Sequence, residues 1–440
     1  MKYFGTDGFR GRANESLTAI HAFRVGRFLG RHFARGARAR IAVGKDTRLS
    51  SYAFEYALAA GAAAPGADVY LLHVTTTPSV SYVVRTEGFD CGVMISASHN
   101  VFSDNGIKLL GGDGEKMPED TLALVEDYLD GGTLPLATGA EIGRTVDYVA
   151  GRNRYLAYLL SLPRTSFRGL RVGLDCANGS AWALAKTVFD ALGAQVRCIG
   201  VSPDGTNINA ECGSTRPERL CELVRLHSLD LGFAFDGDAD RCICVDERGE
   251  VVDGDGILWV CAKDMHERSE LGGGGVVTTV VSNGGLARAL ERSGILCTRT
   301  QVGDKYVAEE MARRGALLGG EPSGHIVFRK YATTGDGILT ALRVAEIVLE
   351  RKCPLSFLTR GYVPLPQKKR DVPVPGGAAI LEREDVRAAI ARAQGEDVRM
   401  VVRASGTEPV VRILAEGDEA AAEGALRLVE RAVRAAAEEL

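Results

Sequence analysis

At 440 residues the chain exceeds what one hydrophobic core ordinarily holds, and at roughly 150 residues per domain it predicts about three or four units. Its 45% apolar and 25% charged content is that of a soluble globular protein. A net charge of −4 argues against a nucleic-acid scaffold, no apolar run approaches the roughly 20 residues of a bilayer span, and the MKYFGTDGFRG start lacks a signal peptide's apolar stretch, so a cytoplasmic protein is expected.

The chain alternates apolar strands with amphipathic helices, the pattern of α/β layers. The first unit reads as a helix over Leu17–Phe33, a strand at Ile41–Val43, a helix over Tyr52–Ala63, and strands at Val69–His73 and Cys91–Ile95. These strands lead into the polar loops GKDTR, VTTTPS and SASHN. The grammar restarts near residue 169 with the strand and glycine turn RVGLDCANG, a helix from Ala181, and a strand over Gln195–Val201. A buried strand then ends in FDGDADR, and CICVDERGEVVDGD reads as a hairpin turning at Glu247–Gly249. A third round follows the GGGG run at Gly272–Gly275, which reads as a surface turn because no helix opens from it. VVTTVVSN and ILCTRTQVGD read as strands around a helix capped by Gly294, and ALLGGEPSGH as strand and loop. TTGDG starts a helix over Ile338–Leu349. VPLPQ (Val363–Gln367) marks a linker, beyond which helices at Asp385–Ala393 and Ala420–Glu439 flank two strands joined by RASGTEP. The expected domains are therefore 1–150, 151–253, 254–364 and 365–440: three similar α/β units with mixed sheets and a smaller C-terminal α+β unit.

Five loops carry chemistry. Asp236, Asp238 and Asp240 stand at alternate positions, which in extended backbone project to one side. Three close carboxylates repel one another unless a cation sits among them, and Mg²⁺ is the natural occupant of an all-oxygen set. Ser98 lies in a run of small residues beside His99; a lone serine there is ordinarily a turn residue, and its pairing with the acidic loop is what marks it as a nucleophile. Glu321, Ser323 and His325 alternate an acceptor, a hydroxyl and an imidazole, the partners a sugar needs. Arg403, Ser405, Gly406, Thr407 and Arg412 combine guanidinium forks, hydroxyls and glycine backbone into a phosphate cradle. Arg10 and Lys108 are cations able to offset charge near the serine, whereas Arg12 reads as a solvated surface charge. The ten cysteines form no CxxC pair, and Cys242 and Cys244 flank Ile243 on a strand, so they read as reduced thiols.

FGTDGFRG, ISASHNVFSDNGIK, FDGDADR, GGEPSGH with TTGDG, and RASGTEP follow one another in an order that resembles the α-D-phosphohexomutase superfamily over the whole chain. The finer signals FGTDGFRG, SDNGIK and TTGDG resemble its glucosamine-phosphate branch. The resemblance implies four domains around a central cleft and a phosphoserine at Ser98. It implies one Mg²⁺ held by Asp236, Asp238, Asp240 and the Ser98 phosphate, with Arg10, His99 and Lys108 near the transferring group. Glu321, Ser323 and His325 are then sugar contacts, and the Arg403–Arg412 loop holds the non-reacting phosphate. The implied reaction interconverts glucosamine 6-phosphate and glucosamine 1-phosphate through a 1,6-bisphosphate, with glucosamine or glucose 1,6-bisphosphate as activator, and feeds UDP-N-acetylglucosamine and cell-wall synthesis. A phosphosugar is the implied partner, neither nucleic acid nor membrane is, and a homodimer is allowed. Three positions depart from the pattern: Val101 replaces proline, Ala239 replaces glycine, and Pro322 replaces glutamine inside the sugar loop.

Overall fold

A computed structural model describes residues 2–5, 7–374, 376–395, 397–405 and 409–439. Among them four sheets follow one another along the chain. The first runs Phe4–Gly5, Gly8–Arg12, Asp104–Gly111, Cys91–Ile95, Arg40–Lys45, Asp68–Val74 and Thr145–Asp147 across its width. Its last four strands are parallel, and Asp104–Gly111 and Gly8–Arg12 extend it antiparallel. Cys91–Ile95 is buried throughout, as a strand covered on both faces must be. The second sheet runs Val251–Val252, Cys242–Val245, Leu231–Phe235, Arg171–Asp175 and Gln195–Ile199. The third runs Cys297–Thr300, Val276–Thr279, Leu318–Gly320 and Ile326–Phe328. Both mix parallel and antiparallel pairs.

The fourth sheet is antiparallel, with Val410–Gly417 between Gln367–Pro373 and Val398–Ala404. Helix Glu419–Glu438 buries Ala422, Leu426, Val429 and Val433 in the core beneath it. Such i, i+4 and i+7 spacing is what lays one helix stripe on one sheet face. The expected linker therefore ends a residue early, because Gln367 opens a strand.

Several helices were not foreseen. Thr77–Glu87 begins inside the stretch VTTTPS, expected to be a polar loop; Thr76 caps it by accepting Ser79 N–H, Pro78 sits in its first turn and Gly88 ends it in the left-handed region. Helix Val149–Ser161 runs through residue 150, where a boundary was expected, and packs on both Thr77–Glu87 and Ala181–Ala191. Gly254–Glu267 is buried on nearly every side and belongs to one hydrophobic core that runs from Tyr155 to Leu355, through the second and third sheets. The GGGG turn is exposed only at Gly272 and Gly273; Gly274 and Gly275 are buried. All ten cysteines are free thiols.

Candidate active site

Ser98 follows Cys91–Ile95, Asp236 follows Leu231–Phe235, and Glu321 follows Leu318–Gly320. Each loop thus leaves the carboxyl end of a strand, where open α/β sheets place ligands. Backbone hydrogen bonds stitch the loops together: Thr77 N–H donates to Asp238 O at 3.0 Å, Cys242 N–H to Gly324 O at 2.9 Å, and Gly337 N–H to Ala239 O at 2.9 Å.

Ser98 Oγ donates to Asp236 Oδ2 across 138 positions of sequence. Asp236, Asp238 and Asp240 each present an oxygen, all within 4.8 Å of one another. The convergence is as expected; its cause is not. Alternate residues of a strand stand roughly 7 Å apart, too far to share one ion. The loop is instead a turn, closed by Ala239 N–H on Asp236 O at 3.1 Å, with Ala239 at a φ of 56°. A side chain in that left-handed region is strained where glycine would be at ease, so the departure at this position has a conformational cost.

Lys108 binds the trio directly. Its Nζ lies 2.8 Å from Asp238 Oδ2, 3.2 Å from Asp240 Oδ2 and 3.3 Å from Asp7 Oδ2. Burial works against its charge, but these three carboxylates outweigh it and hold the ammonium well above its ordinary pKa. Burial, then Asp240 and Asp238, push Asp236 well above the usual carboxylate range. Burial acts the same way on Asp240, but Lys108 and then His325 reverse it and keep Asp240 ionised. The Oδ1 atoms of Asp238 and Asp240 are buried with no hydrogen-bond partner.

His99 Nδ1 is 3.2 Å from Ser98 Oγ; burial, with Arg241 and Arg10 nearby, drops its pKa to about 3, so the ring is neutral. His325 Nε2 accepts Gly335 N–H at 3.1 Å, which leaves Nδ1 as the protonated nitrogen, 3.8 Å from Asp240 Oδ2. Burial opposes its charge, but Asp240 and Asp304 raise the pKa on balance. Arg10 pairs with Asp7 and reaches Asn100 Oδ1 at 3.4 Å. Arg12 lies out in solvent beside Glu15.

Glu321 Oε1 accepts Gly303 N–H at 3.0 Å, and Ser323 Oγ is buried without a partner. Arg403 and Arg412 stand directly opposite each other on antiparallel strands. Burial and the like charge of Arg412 lower the Arg403 pKa. Glu321, on the loop after Leu318–Gly320, acts on Arg403 in the opposite sense. Ser405 N–H closes the hairpin on Val410 O at 2.9 Å. Gly406 and Thr407 lie outside the described residues.

The sequence reading missed several participants. Asp7 gathers Arg10, Lys108 and Lys116; Thr77 Oγ1 donates to Asp238 Oδ2; Asp304 faces His325; Arg48 and Asn209 hold the serine loop. Asp7 and Arg241 lie inside motifs already singled out, FGTDGFRG and FDGDADR, so their charge was the available signal.

Four family descriptions cover the chain: phosphoglucomutase/phosphomannomutase alpha/beta/alpha domain I over residues 1–134, domain II over 153–249, domain III over 253–364, and the C-terminal domain over 362–433. A phosphoglucosamine mutase of Lachnospira eligens is 59% identical over 423 residues, 94% of each chain, and one of Lachnoclostridium phytofermentans is 54% identical over 94% of each. The chain belongs to the phosphoglucosamine mutases of the phosphoglucomutase/phosphomannomutase family. Its relatives in that group are mutases, a class of isomerase. In fold it is similar to a phosphoglucomutase/phosphomannomutase family protein of Burkholderia thailandensis, with a TM-score of 0.82 at 24% identity over 99% of this chain and 97% of that one. It is likewise similar to the Aspergillus fumigatus N-acetylphosphoglucosamine mutase solved with GlcNAc-6P and magnesium, with a TM-score of 0.70 at 18% identity over 99% and 96%.

Proposed function

We propose that the chain interconverts glucosamine 6-phosphate and glucosamine 1-phosphate by passing a phosphoryl group through Ser98. The observation that carries this is the hydrogen bond from Ser98 Oγ to Asp236, inside a trio of carboxylates gathered at one point. The trio fits a divalent cation: its donors are all hard oxygens, and the Oδ1 atoms of Asp238 and Asp240 are buried without a hydrogen-bond partner. Asp236, Asp238 and Asp240 would hold Mg²⁺ together with an oxygen of the Ser98 phosphate, and the ion would supply charge neutralisation at the transferring group.

The chain's own residues do the rest. The P–O bond to Ser98 breaks as the free sugar hydroxyl forms a new one, the hydroxyl proton passes to a base, and Ser98 Oγ takes a proton when released. The resulting 1,6-bisphosphate turns over in the cleft and returns its other phosphate to Ser98. Lys108, held charged by three carboxylates, is a fixed cation beside the migrating group. Glu321, Ser323 and His325 would read the sugar, and Arg403, Ser405, Gly406, Thr407 and Arg412 would hold the phosphate that does not react. Positioning and electrostatics suffice for such a transfer, so little further machinery is needed.

The domain division at 1–150, 151–253, 254–364 and 365–440, a cytoplasmic location, activation by a sugar 1,6-bisphosphate and a homodimer belong to the same proposal. Among the described residues, no helix is long and apolar enough to cross a membrane. Phosphomannomutase or phosphoglucomutase activity is the second reading. It is favoured only by Pro322, whose side chain offers a sugar no donor and whose carbonyl is taken by Gly254 N–H at 3.0 Å. Parallel assays with the 6-phosphates of glucosamine, mannose and glucose test the choice. Fastest isomerisation of the glucosamine ester is expected; a preference for either neutral sugar, or steady release of inorganic phosphate, refutes it.

A further inference from the structure

The carbonyl oxygens of Ser98 and Asn100 share their donors: two side chains grip both. Arg48 Nη2 donates to Ser98 O at 3.2 Å and to Asn100 O at 2.7 Å. Asn209 Nδ2 donates to the same two oxygens, each at 2.9 Å. The donors come from different units. Arg48 is fully buried between strand Arg40–Lys45 and helix Leu49–Ala63 and paired with Asp46, which also accepts from Ser51. Asn209 rides on a loop of the second unit, pinned by its own N–H to Ala177 O at 2.8 Å just past strand Arg171–Asp175. That strand pairs with Leu231–Phe235, which leads into the aspartate trio.

Ser98 needs this grip. Its φ of 53° is a backbone conformation that a serine does not hold unaided. The next residue but two, Val101, is exposed and carries none of the restriction that proline would impose on Asn100. We propose that Asn209 is a positioning residue for phosphoryl transfer. Its amide ties the serine loop to the unit that carries Asp236, so that the two docked units together set where Ser98 Oγ points. Arg48 fixes the loop within its own unit, and Asn209 registers it against the other. This rests on the phosphoserine reading above.

Asn209 itself sits at a φ of 59°, so the test must keep a left-handed backbone. Asn209→Asp and Asn209→Gly both tolerate that conformation, and both remove the amide donors. The aspartate also turns a carboxylate toward two carbonyl oxygens. The readout is a single turnover: enzyme carrying a heavy-oxygen-labelled phosphate on Ser98 is mixed with unlabelled glucosamine 6-phosphate, and replacement of the label by the substrate's phosphate is followed by rapid quench and peptide-level mass spectrometry. Transfer is expected to slow roughly 10- to 100-fold in both variants, more in the aspartate, with KM and melting temperature near those of the parent. Transfer at the parental rate refutes the role of Asn209. So does a slowing that merely tracks a fall in melting temperature. A parent enzyme found never to carry phosphate on Ser98 would instead overturn the phosphoserine reading itself.

Discussion

Gly237 is where the metal loop and the serine loop touch, and adding one methyl there is a clean perturbation. Gly237 is not among the residues with positive φ, so its backbone accepts a side chain and only the space around it resists. A Cβ at Gly237 would collide with Ser98 O and stand 2.9 Å from Ile208 Cδ1 and 3.2 Å from Asn209 Nδ2. The metal loop cannot simply retreat, because Gly237 O is held from behind by Ser180 N–H at 2.8 Å and Ser180 Oγ at 2.9 Å. The serine loop must therefore move away by roughly 0.6 Å to restore the shortest separation real atoms keep. A displacement of about 1 Å at a reacting centre costs on the order of 100-fold in rate, which scales to roughly 10- to 20-fold for Gly237→Ala. Overpacking of this kind also destabilises by about 1–3 kcal/mol. The assay is steady-state formation of glucosamine 1-phosphate at saturating substrate, with a melting curve on the same sample. Because the loop proposed to hold the non-reacting phosphate lies elsewhere, kcat should fall while KM holds. An unchanged kcat in a folded Gly237→Ala enzyme would refute the claim that Ser98 and the trio act as one closely spaced unit.

Two further outcomes follow from charge. Burial raises Asp336, which caps helix Gly337–Arg351 and accepts from Tyr155, from the ordinary 3.8 to about 6. A carboxyl raised in the folded state stabilises below its unfolded pKa and loses that contribution as pH climbs through the folded one. Denaturant midpoints of the parent should therefore carry a component that falls between about pH 4 and 6, and Asp336→Asn, which keeps the cap, should remove it; identical pH profiles would contradict this. Because Asp236 is held well above the usual range, filling the trio with Mg²⁺ should expel a proton. Calorimetric titrations of Mg²⁺ in buffers of different ionisation enthalpy should then give different apparent heats, and affinity should rise with pH. Heats independent of buffer would count against a proton on Asp236.

How much of this was written in the sequence depends on the distance over which each feature is decided. The serine and aspartate loops were legible because unusual residues stand close together after apolar strands. The helix at Ala19–His32 was legible from its one-sided apolar spacing. Gly254–Glu267 was hidden because it is buried nearly all round, which erases amphipathic periodicity, and because its Gly-Asp-Gly start reads as a turn. Strand Asp104–Gly111 begins with Asp-Asn-Gly, a turn signal overridden by pairing on both sides. Asp304–Arg314 buries only Val307 and Met311, too few to mark a periodic face. Asn209, Arg48 and Thr77 were invisible for a different reason: their partners lie 111, 50 and 161 positions away, and only the folded chain brings them together.

Ser98 as the carrier of the phosphoryl group is tested most directly by peptide-level mass spectrometry of the purified enzyme after exposure to glucose 1,6-bisphosphate, run beside Ser98→Ala. One phosphate on Ser98 in the parent, and neither phosphate nor isomerisation in the variant, is the predicted result. Phosphate on another residue, or a Ser98→Ala enzyme that still interconverts the two glucosamine phosphates, would contradict it.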